Sequence, residues 1–406
     1  MINVWEENKR CLQCKNPSCE KGCPVDTPLK EVIKLLKENK IKEAGKLLFD
    51  NNPLSVVTSL ICPHEDFCVG NCVLNHKGSP VQTCAIENYT SEYFLNTIDF
   101  EPEINPEKKV AIIGSGPAGL TMAILLARKG YDITIFESHE EIGGVLRYGI
   151  PEFRLPKSIL DRYHEILIKM GVKIRPNTLI GTVLTLDDMF RDGYKAIFVA
   201  SGTWKPRKLN IPGESLGHIY YAIDYLRSPN THSLGKKVCV IGGGNVALDC
   251  ARTAIRKGAK EVTVYYRKGE ADMPSSKEEI NYAKLDGVNF EFYRSPIEIK
   301  DKYIKFKVTD PLQENEDTNE EVTYEADSVI ISISQGPRSI IADSTRGVKL
   351  DKLGLIVIDE TGNTTKEGVF AAGDVVTGAK TVVEAVAGTK IVAKYLDEYV
   401  KEKYNL

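Results

Sequence analysis

The chain has 406 residues, 42% of them hydrophobic, and a formal net charge of -3. That length suits two or three domains, and the slightly acidic balance excludes nucleic acid as a bulk electrostatic partner. No apolar run approaches the roughly 18 residues of a membrane span, and the opening M-I-N-V-W-E-E-N-K-R lacks the apolar core of a signal peptide, so the cytoplasm is the expected location.

Eight of the ten cysteines stand before residue 85. A reducing compartment argues against disulfides, so their spacing carries the information. The first group is Cys11-x2-Cys14-x4-Cys19-x3-Cys23-Pro24, and the second is Cys62-Pro63-x4-Cys68-x3-Cys72. Between them, apolar residues at helical spacing over 28–49 predict one or two short amphipathic helices. Tight thiolate loops followed by Cys-Pro suit iron–sulfur clusters. The alternative is structural zinc, whose C-x2-C pairs usually recur at matched spacing. Here one such pair occurs and no His stands at ligand spacing; His64 and His76 read as ordinary surface residues.

Residues 99–109 are polar, contain two prolines and read as a linker. The stretch 110–120, V-A-I-I-G-S-G-P-A-G-L, is an apolar strand running into Gly114, Gly116 and Gly119 and then into a helix. Gly114 permits the turn, Gly116 admits a pyrophosphate close to the backbone, and Gly119 lets helix and strand pack closely. The helix N-terminus offers N–H groups to phosphates. A strand at 132–136 then ends in Glu137, near the spacing of a ribose-hydroxyl acceptor. Gly143 and Gly144 again suggest backbone beside a ligand, and Arg147 and Arg154 read as phosphate or partner contacts or as solvated surface. A buried strand over 195–200 exits into S-G-T-W-K-P-R, a loop at the carboxyl end of a strand, where ligands bind in such sheets.

The pattern repeats at 237–247, K-V-C-V-I-G-G-G-N-V-A, with Gly242, Gly244 and Ala247 in the three positions. In the following strand, 262–266, Tyr266 takes the place of Glu137, and Arg267 and Lys268 follow. An acid would repel a 2′-phosphate, whereas Arg can pair with it, which favours NADPH over NADH; the alternative is that both basic residues solvate a strand end. Cys239 and Cys250 read as core. The acidic stretch 313–325 reads as an exposed hairpin or loop, and 327–334 as a buried strand. A short strand at 369–372 delivers Gly373 and Asp374, a candidate acceptor for a ribityl hydroxyl. A helix over 381–396 carries Val382 and Val383 in its first turn, where its N–H groups and dipole suit a flavin ring that gains negative charge on reduction.

The cysteine head, G-G-V-L-R-Y-G-I-P-E-F-R-L-P-K, I-P-G-E and A-A-G-D together resemble the small, NADPH-oxidising subunit of bacterial glutamate synthase, over essentially the whole chain. The electron-input half of dihydropyrimidine dehydrogenase is similar. The resemblance implies an α/β fold with two Rossmann-like dinucleotide-binding domains, the second inserted in the first, behind an α-helical iron–sulfur domain. It implies a head over 1–105 with two 4Fe–4S clusters, an FAD domain in two parts, 106–230 and 336–406, and an NAD(P)H domain at 231–335. By the same resemblance Cys11, Cys14, Cys19 and Cys72 match one cluster, and Cys23, Cys62 and Cys68 the other. Gly114, Gly116, Gly119, Glu137, Gly144, Arg147, Gly373 and Asp374 match FAD positions, and Gly242, Gly244, Asn245 and Arg267 the nucleotide site. The eighth cluster ligand falls to Cys84 or Glu87, which share a face if 82–94 is helical; the match of A-I-E-N-Y selects Glu87. Lys268 departs from the pattern, standing where a second Arg is common.

The implied activity is hydride transfer from NADPH to FAD and single-electron transfer through the clusters to a larger catalytic subunit or a ferredoxin-like carrier. The alternatives are the electron-input subunit of a pyrimidine dehydrogenase, a stand-alone NAD(P)H:ferredoxin-type oxidoreductase, and a cofactor-holding scaffold. The cofactors carry the chemistry, so no side-chain acid or base is named as catalytic. The chain lacks the redox C-x-x-C of thioredoxin reductase-like proteins in its nucleotide domain, so that activity is not expected.

Overall fold

A computed structural model describes residues 2–101, 103–310 and 316–406. The chain forms two compact units: one holds the chain up to Leu146, Glu152–Thr203 and Pro337–Leu406, the other Arg147–Pro151 and Trp204–Gly336.

In the first unit the head is helical. The stretch 28–49 gives two helices, Leu29–Lys37 and Ile41–Asn51, which bury Leu29, Val32, Ile33, Leu36, Ala44 and Leu48. The helix Ser55–Ile61 delivers Cys62 at its C-terminal end, and Thr83–Thr97 carries Cys84 in its first turn and Glu87 on its buried side. His64, expected at the surface, is half-buried, and its carbonyl accepts the N–H groups of Phe67, Val69 and Gly70 between Cys62 and Cys72.

Behind the head stands a parallel sheet of β1 (Asn105–Ile113), β2 (Tyr131–Phe136), β3 (Lys173–Arg175) and β4 (Ala196–Val199), with the returning strand Val369–Ala371 against β4. The order is Val369–Ala371, β4, β1, β2, β3. β1 begins inside the expected linker, because Asn105 pairs with Tyr131 before the register shifts to Lys109 and Asp132. The four strand residues Val110–Ile113 and all of β2 and β4 are buried, as in a parallel sheet covered on both faces. The C-terminal helix Val382–Tyr404 extends past the expected 396 and packs along Pro117–Ala127. Its Asp397 accepts the Tyr131 hydroxyl at 2.8 Å and pairs with Lys129 at 2.7 Å.

The expected boundary at residue 105 falls inside this unit, because the head is tied to the sheet domain at several points. Arg162 pairs with Glu92 through two nitrogens at 2.7 and 2.8 Å and also donates to Asn96. Arg128 pairs with Asp50. The buried Tyr163 donates its hydroxyl to the Pro53 carbonyl at 2.6 Å.

The second unit repeats the parallel architecture with β5 (Ile219–Tyr221), β6 (Lys237–Ile241), β7 (Glu261–Tyr266) and β8 (Asn289–Phe292). An antiparallel sheet of β9 (Arg294–Lys300), β10 (Tyr303–Asp310) and β11 (Glu316–Glu325) follows, and then β12 (Ser328–Ile331). The parallel order is β5-β12-β6-β7-β8. The acidic stretch, expected as an exposed hairpin or loop, is from Glu316 onward the second strand of a hairpin with β10; residues 313–315 lie outside the described residues. This sheet packs Ile299, Ile304 and Phe306 into a core with β6, β7 and β12, and Phe306 stacks on Tyr265 with ring centres 4.5 Å apart. The long segment of this unit begins at Trp204, ahead of the expected 231. Lys205–Pro206 pairs with Gln335–Gly336, and β5 completes the sheet edge beside β12, so both belong with the insert.

Removing the buried Tyr163–Pro53 hydrogen bond tests the attachment of the head. Tyr163→Phe should lower the unfolding free energy of the first unit by about 1 kcal/mol, read as a shift in denaturant midpoint at constant slope. An unmoved midpoint would show that the head does not lean on this bond.

Candidate functional site

β1 ends at Gly114, whose φ of 94° lies in the left-handed region. A Cβ there would also come within 2.5 Å of the Ala200 carbonyl oxygen, so the end of β4 leaves no room for a side chain. A Cβ on Gly119 would fall on the Gly114 carbonyl oxygen, which makes Gly119 the condition for helix Pro117–Ala127 to start against the strand. Gly116, by contrast, faces open space. It precedes the helix and supplies no side-chain cap, so the first N–H groups point into that space. Gly144 closes its other side, with a notional Cβ 2.8 Å from the Gly116 Cα. Open space against uncapped N–H groups fits the diphosphate of a dinucleotide.

Glu137, at the tip of β2, is buried under this turn. Its Oε2 accepts the Ser115 N–H at 2.9 Å and the Ser115 hydroxyl at 2.5 Å, and its Oε1 accepts the His139 N–H at 2.9 Å. Burial alone would raise its pKa, but the hydrogen bonds from His139 and Ser115 outweigh it and hold the carboxyl below its ordinary value. The Ser115 carbonyl and hydroxyl both accept the Gly143 N–H at 3.1 Å, which brings 143–144 to the turn. Ser115 was not singled out in the sequence; its position between the first two glycines was the available signal.

On the returning chain, Gly373 has a φ of 77° and caps the short helix Asp374–Thr377. Asp374 is half-buried, accepts the Lys380 N–H at 3.3 Å, and is pushed up to about 6 by burial. Val382 is the first residue of the C-terminal helix, behind a capping box in which Thr381 and Glu384 satisfy each other's backbone N–H groups. Gly114, Gly116, Gly119, Glu137, Gly144, Gly373, Asp374 and Val382 all lie in the first unit, whereas Arg147 lies in the segment grouped with the second.

The second turn follows the first residue for residue. Gly114 N–H bonds to the Phe136 carbonyl and Gly242 N–H to the Tyr265 carbonyl, so Tyr266 does occupy the Glu137 position. Gly243 replaces Ser115, and a Cβ there would meet the Tyr266 ring at 2.7 Å. Ser with Glu and Gly with Tyr are thus two fillings of one corner. Gly244 precedes the helix Asn245–Arg256 without a side-chain cap, Ala247 is buried, and the Asn245 side chain accepts the Ser276 N–H at 3.3 Å. Arg267 is exposed at the end of β7 and Lys268 is half-buried beside it. Cys239 and Cys250 are core residues, as expected.

The head cysteines gather in two sets. Cys11, Cys14, Cys19 and Cys72 line one cavity, whose wall also includes Leu12 and Val73. Burial pushes the Cys19 thiol up to about 11, with the charges of Glu20, Cys72 and Cys11 adding to it. Burial likewise raises Cys62 well above its ordinary value and Cys68 to about 12, with Glu87, Cys84 and Cys23 adding to both. Cys23, Cys62, Cys68, Cys84 and Glu87 therefore form the other set. Desolvation pushes the Glu87 carboxyl up to about 8. Buried, mutually repelling thiols and a carboxyl fit a cationic metal core that offsets their charge. Among the described residues, no three His, Cys, Asp or Glu side chains converge as a single metal ion requires.

A family model described as pyridine nucleotide-disulphide oxidoreductase matches residues 108–389, and one described as dihydropyrimidine dehydrogenase domain II, 4Fe-4S cluster, matches 2–98. The glutamate synthase [NADPH] small chain of Halomonas elongata is 35% identical over 93% of this chain and 86% of its own. The chain belongs to the pyridine nucleotide-disulphide oxidoreductases, together with the glutamate synthase small chains. Another member, the NAD-dependent dihydropyrimidine dehydrogenase subunit PreT of Salmonella typhimurium, is 30% identical over 98% of this chain and 94% of its own. Among solved structures, Mycobacterium tuberculosis FprA in complex with NADPH aligns with a TM-score of 0.63 at 20% identity, covering 74% of this chain and 86% of that one, and so shares the fold. This member of the family is an NAD(P)H-dependent FAD oxidoreductase with a 4Fe–4S domain. No helix among the described residues is long and apolar enough to cross a membrane.

The Gly119–Gly114 approach gives a sharp test. Gly119→Ala should strip the purified protein of flavin, seen as loss of its visible absorbance, while far-ultraviolet circular dichroism stays near that of the parent. Full flavin retention would mean that the turn can move aside.

Proposed function

We propose that this oxidoreductase takes hydride from NADPH and passes single electrons through two 4Fe–4S clusters to a partner protein. The observation that carries this reading is the pair of separate ligand sets in the unit that also holds the first glycine turn. When bound, FAD accepts the hydride and releases its electrons singly to clusters that carry one each. The chain's own residues bind and orient. Gly114, Gly116, Gly119 and Gly144 would admit the flavin diphosphate to the N-terminus of Pro117–Ala127, and Glu137, whose Oε1 lies 3.0 Å from the His139 ring Nδ1, would accept a ribose hydroxyl. Asp374 would accept a ribityl hydroxyl, and the N–H groups at Val382 would favour the negative charge that a bound flavin gains on reduction. Gly242, Gly244, Asn245 and Ala247 hold the nicotinamide nucleotide, with Arg267 on its 2′-phosphate.

Cys11, Cys14, Cys19 and Cys72 hold one cluster; Cys23, Cys62, Cys68 and Glu87 hold the other. The first is the point of exit, since Leu12 and Val73 on its wall are 63% and 37% exposed. The acceptor is a larger catalytic subunit, as the likeness to glutamate synthase small chains supports, or a ferredoxin-like carrier. The near-full-length match to PreT supports a second reading, in which the partner is the catalytic subunit of a pyrimidine dehydrogenase.

The isolated protein should reduce an artificial dye with NADPH, with higher kcat/KM than with NADH, and should form no glutamate from 2-oxoglutarate and glutamine. Arg267→Ala should raise KM for NADPH roughly tenfold, the loss of one charge-assisted contact, with NADH little changed. Equal use of both nucleotides by the parent would sink the role given to Arg267, and glutamate formation by the chain alone would sink the subunit reading.

The eighth ligand is open to direct assay. Cys84→Ser should keep about eight irons per chain, as two four-iron clusters require, with an unchanged cluster spectrum, whereas Glu87→Ala should perturb or lose one cluster. The reverse pattern would assign the site to Cys84.

A further inference from the structure

Lys390 lies roughly two turns into the helix Val382–Tyr404. It is half-buried, and its Nζ donates to Asn51 Oδ1 at 2.7 Å. Asn51 ends the helix Ile41–Asn51, so this bond joins the C-terminal helix to the head. The other end of the same amide, Asn51 Nδ2, is buried and has no acceptor among the described residues. A buried donor without a partner calls for one. Two N–H donor groups thus meet here, and only the Lys390 ammonium has a protein acceptor, Asn51 Oδ1. The acidic groups that act on the Lys390 ammonium are Asp26 and Cys23; they oppose the lowering that burial imposes on it. Asp26 is exposed at the surface, while Cys23 belongs to the inner ligand set with Cys62 and Cys68.

We propose that Lys390, held by Asn51, is a positioning residue that raises the reduction potential of the cluster bound by Cys23 above the value its ligands alone would give. This rests on the reading of the head as a two-cluster domain. Reduction adds one negative charge to a cluster, and a fixed cation beside it favours that form. The net charge and the hydrogen bonds to the sulfurs are what set cluster potentials. The bond from Lys390 Nζ to Asn51 Oδ1 fixes where the ammonium stands. Because Lys390 and Val382 share one helix, the flavin end and this cluster are held by a single rigid element.

The experiment is an EPR-monitored redox titration of the holoenzyme and of Lys390→Gln, Lys390→Met and Lys390→Arg, with iron and flavin content measured first. In the neutral variants one cluster's reduction equilibrium should fall about tenfold, a negative shift of about 59 mV for one electron. The other cluster should not move, and Lys390→Arg should restore the parent value. Loss of that one cluster's iron in the neutral variants alone, with a full complement in Lys390→Arg, would also support a requirement for charge. Unchanged potentials in both neutral variants, an equal shift of both clusters, or iron loss in Lys390→Arg as well would overturn the proposal. A parent protein without four-iron clusters would sink the reading of the head, and this inference with it; unchanged potentials in a fully loaded protein sink this inference alone.

Discussion

A buried carboxylate under a backbone turn is the constraint on which the first glycine turn depends. Glu137 is out of water, and it stays ionised because Ser115 and His139 give it hydrogen bonds from both backbone and side chain. Each of those donors is also a constraint on the chain. The tip of β2 is fastened to the glycine turn at the end of β1, and through Ser115 the turn is fastened to Gly143. Three neighbouring segments of the chain are thereby fixed around one open space beside Gly116. Removing the charge would leave Ser115 and Gly143 without the group that organises them, so binding and local folding are one problem here.

The second turn solves the same steric problem with no charge. Tyr266 fills the corner with its ring, and Gly243 must give up a side chain to let it in. The acidic corner is closed on itself by internal donors, whereas the strand end of the aromatic one is left to Arg267 and Lys268. One backbone design therefore presents opposite electrostatics at its two copies, which suits two nucleotides of which one carries an additional phosphate.

Much of this was legible from residues alone. The glycine spacings, the buried strands after them and the alignment of Tyr266 with Glu137 follow from steric rules that act within about thirty residues, and the hydrogen bonds of Gly114 and Gly242 bear them out. The cysteine spacings separated a first group from a second, but how they mix across Cys72 and Cys23 came from family likeness, because loop closure over fifty residues leaves no local trace. Three features were not legible. The antiparallel sheet was foreseen only as an exposed hairpin or loop, because β11 is acidic and its apolar alternation is sparse, while β10 carries the buried Ile304 and Phe306. The start of the insert at Trp204 depends on pairing with residues more than a hundred positions later. The fusion of head and sheet domain depends on single polar contacts, such as Arg162 with Glu92 and Lys390 with Asn51, that have no sequence periodicity.

The two-residue ladder between Lys205–Pro206 and Gln335–Gly336 brings the entrance and exit of the second unit side by side. An insert whose ends are neighbours imposes almost no loop-closure demand on its host, and the host needs only a short bridge to close without it. The main segment of the second unit can therefore lengthen, shorten or change its internal loops while the strands that precede and follow it keep their places in the chain.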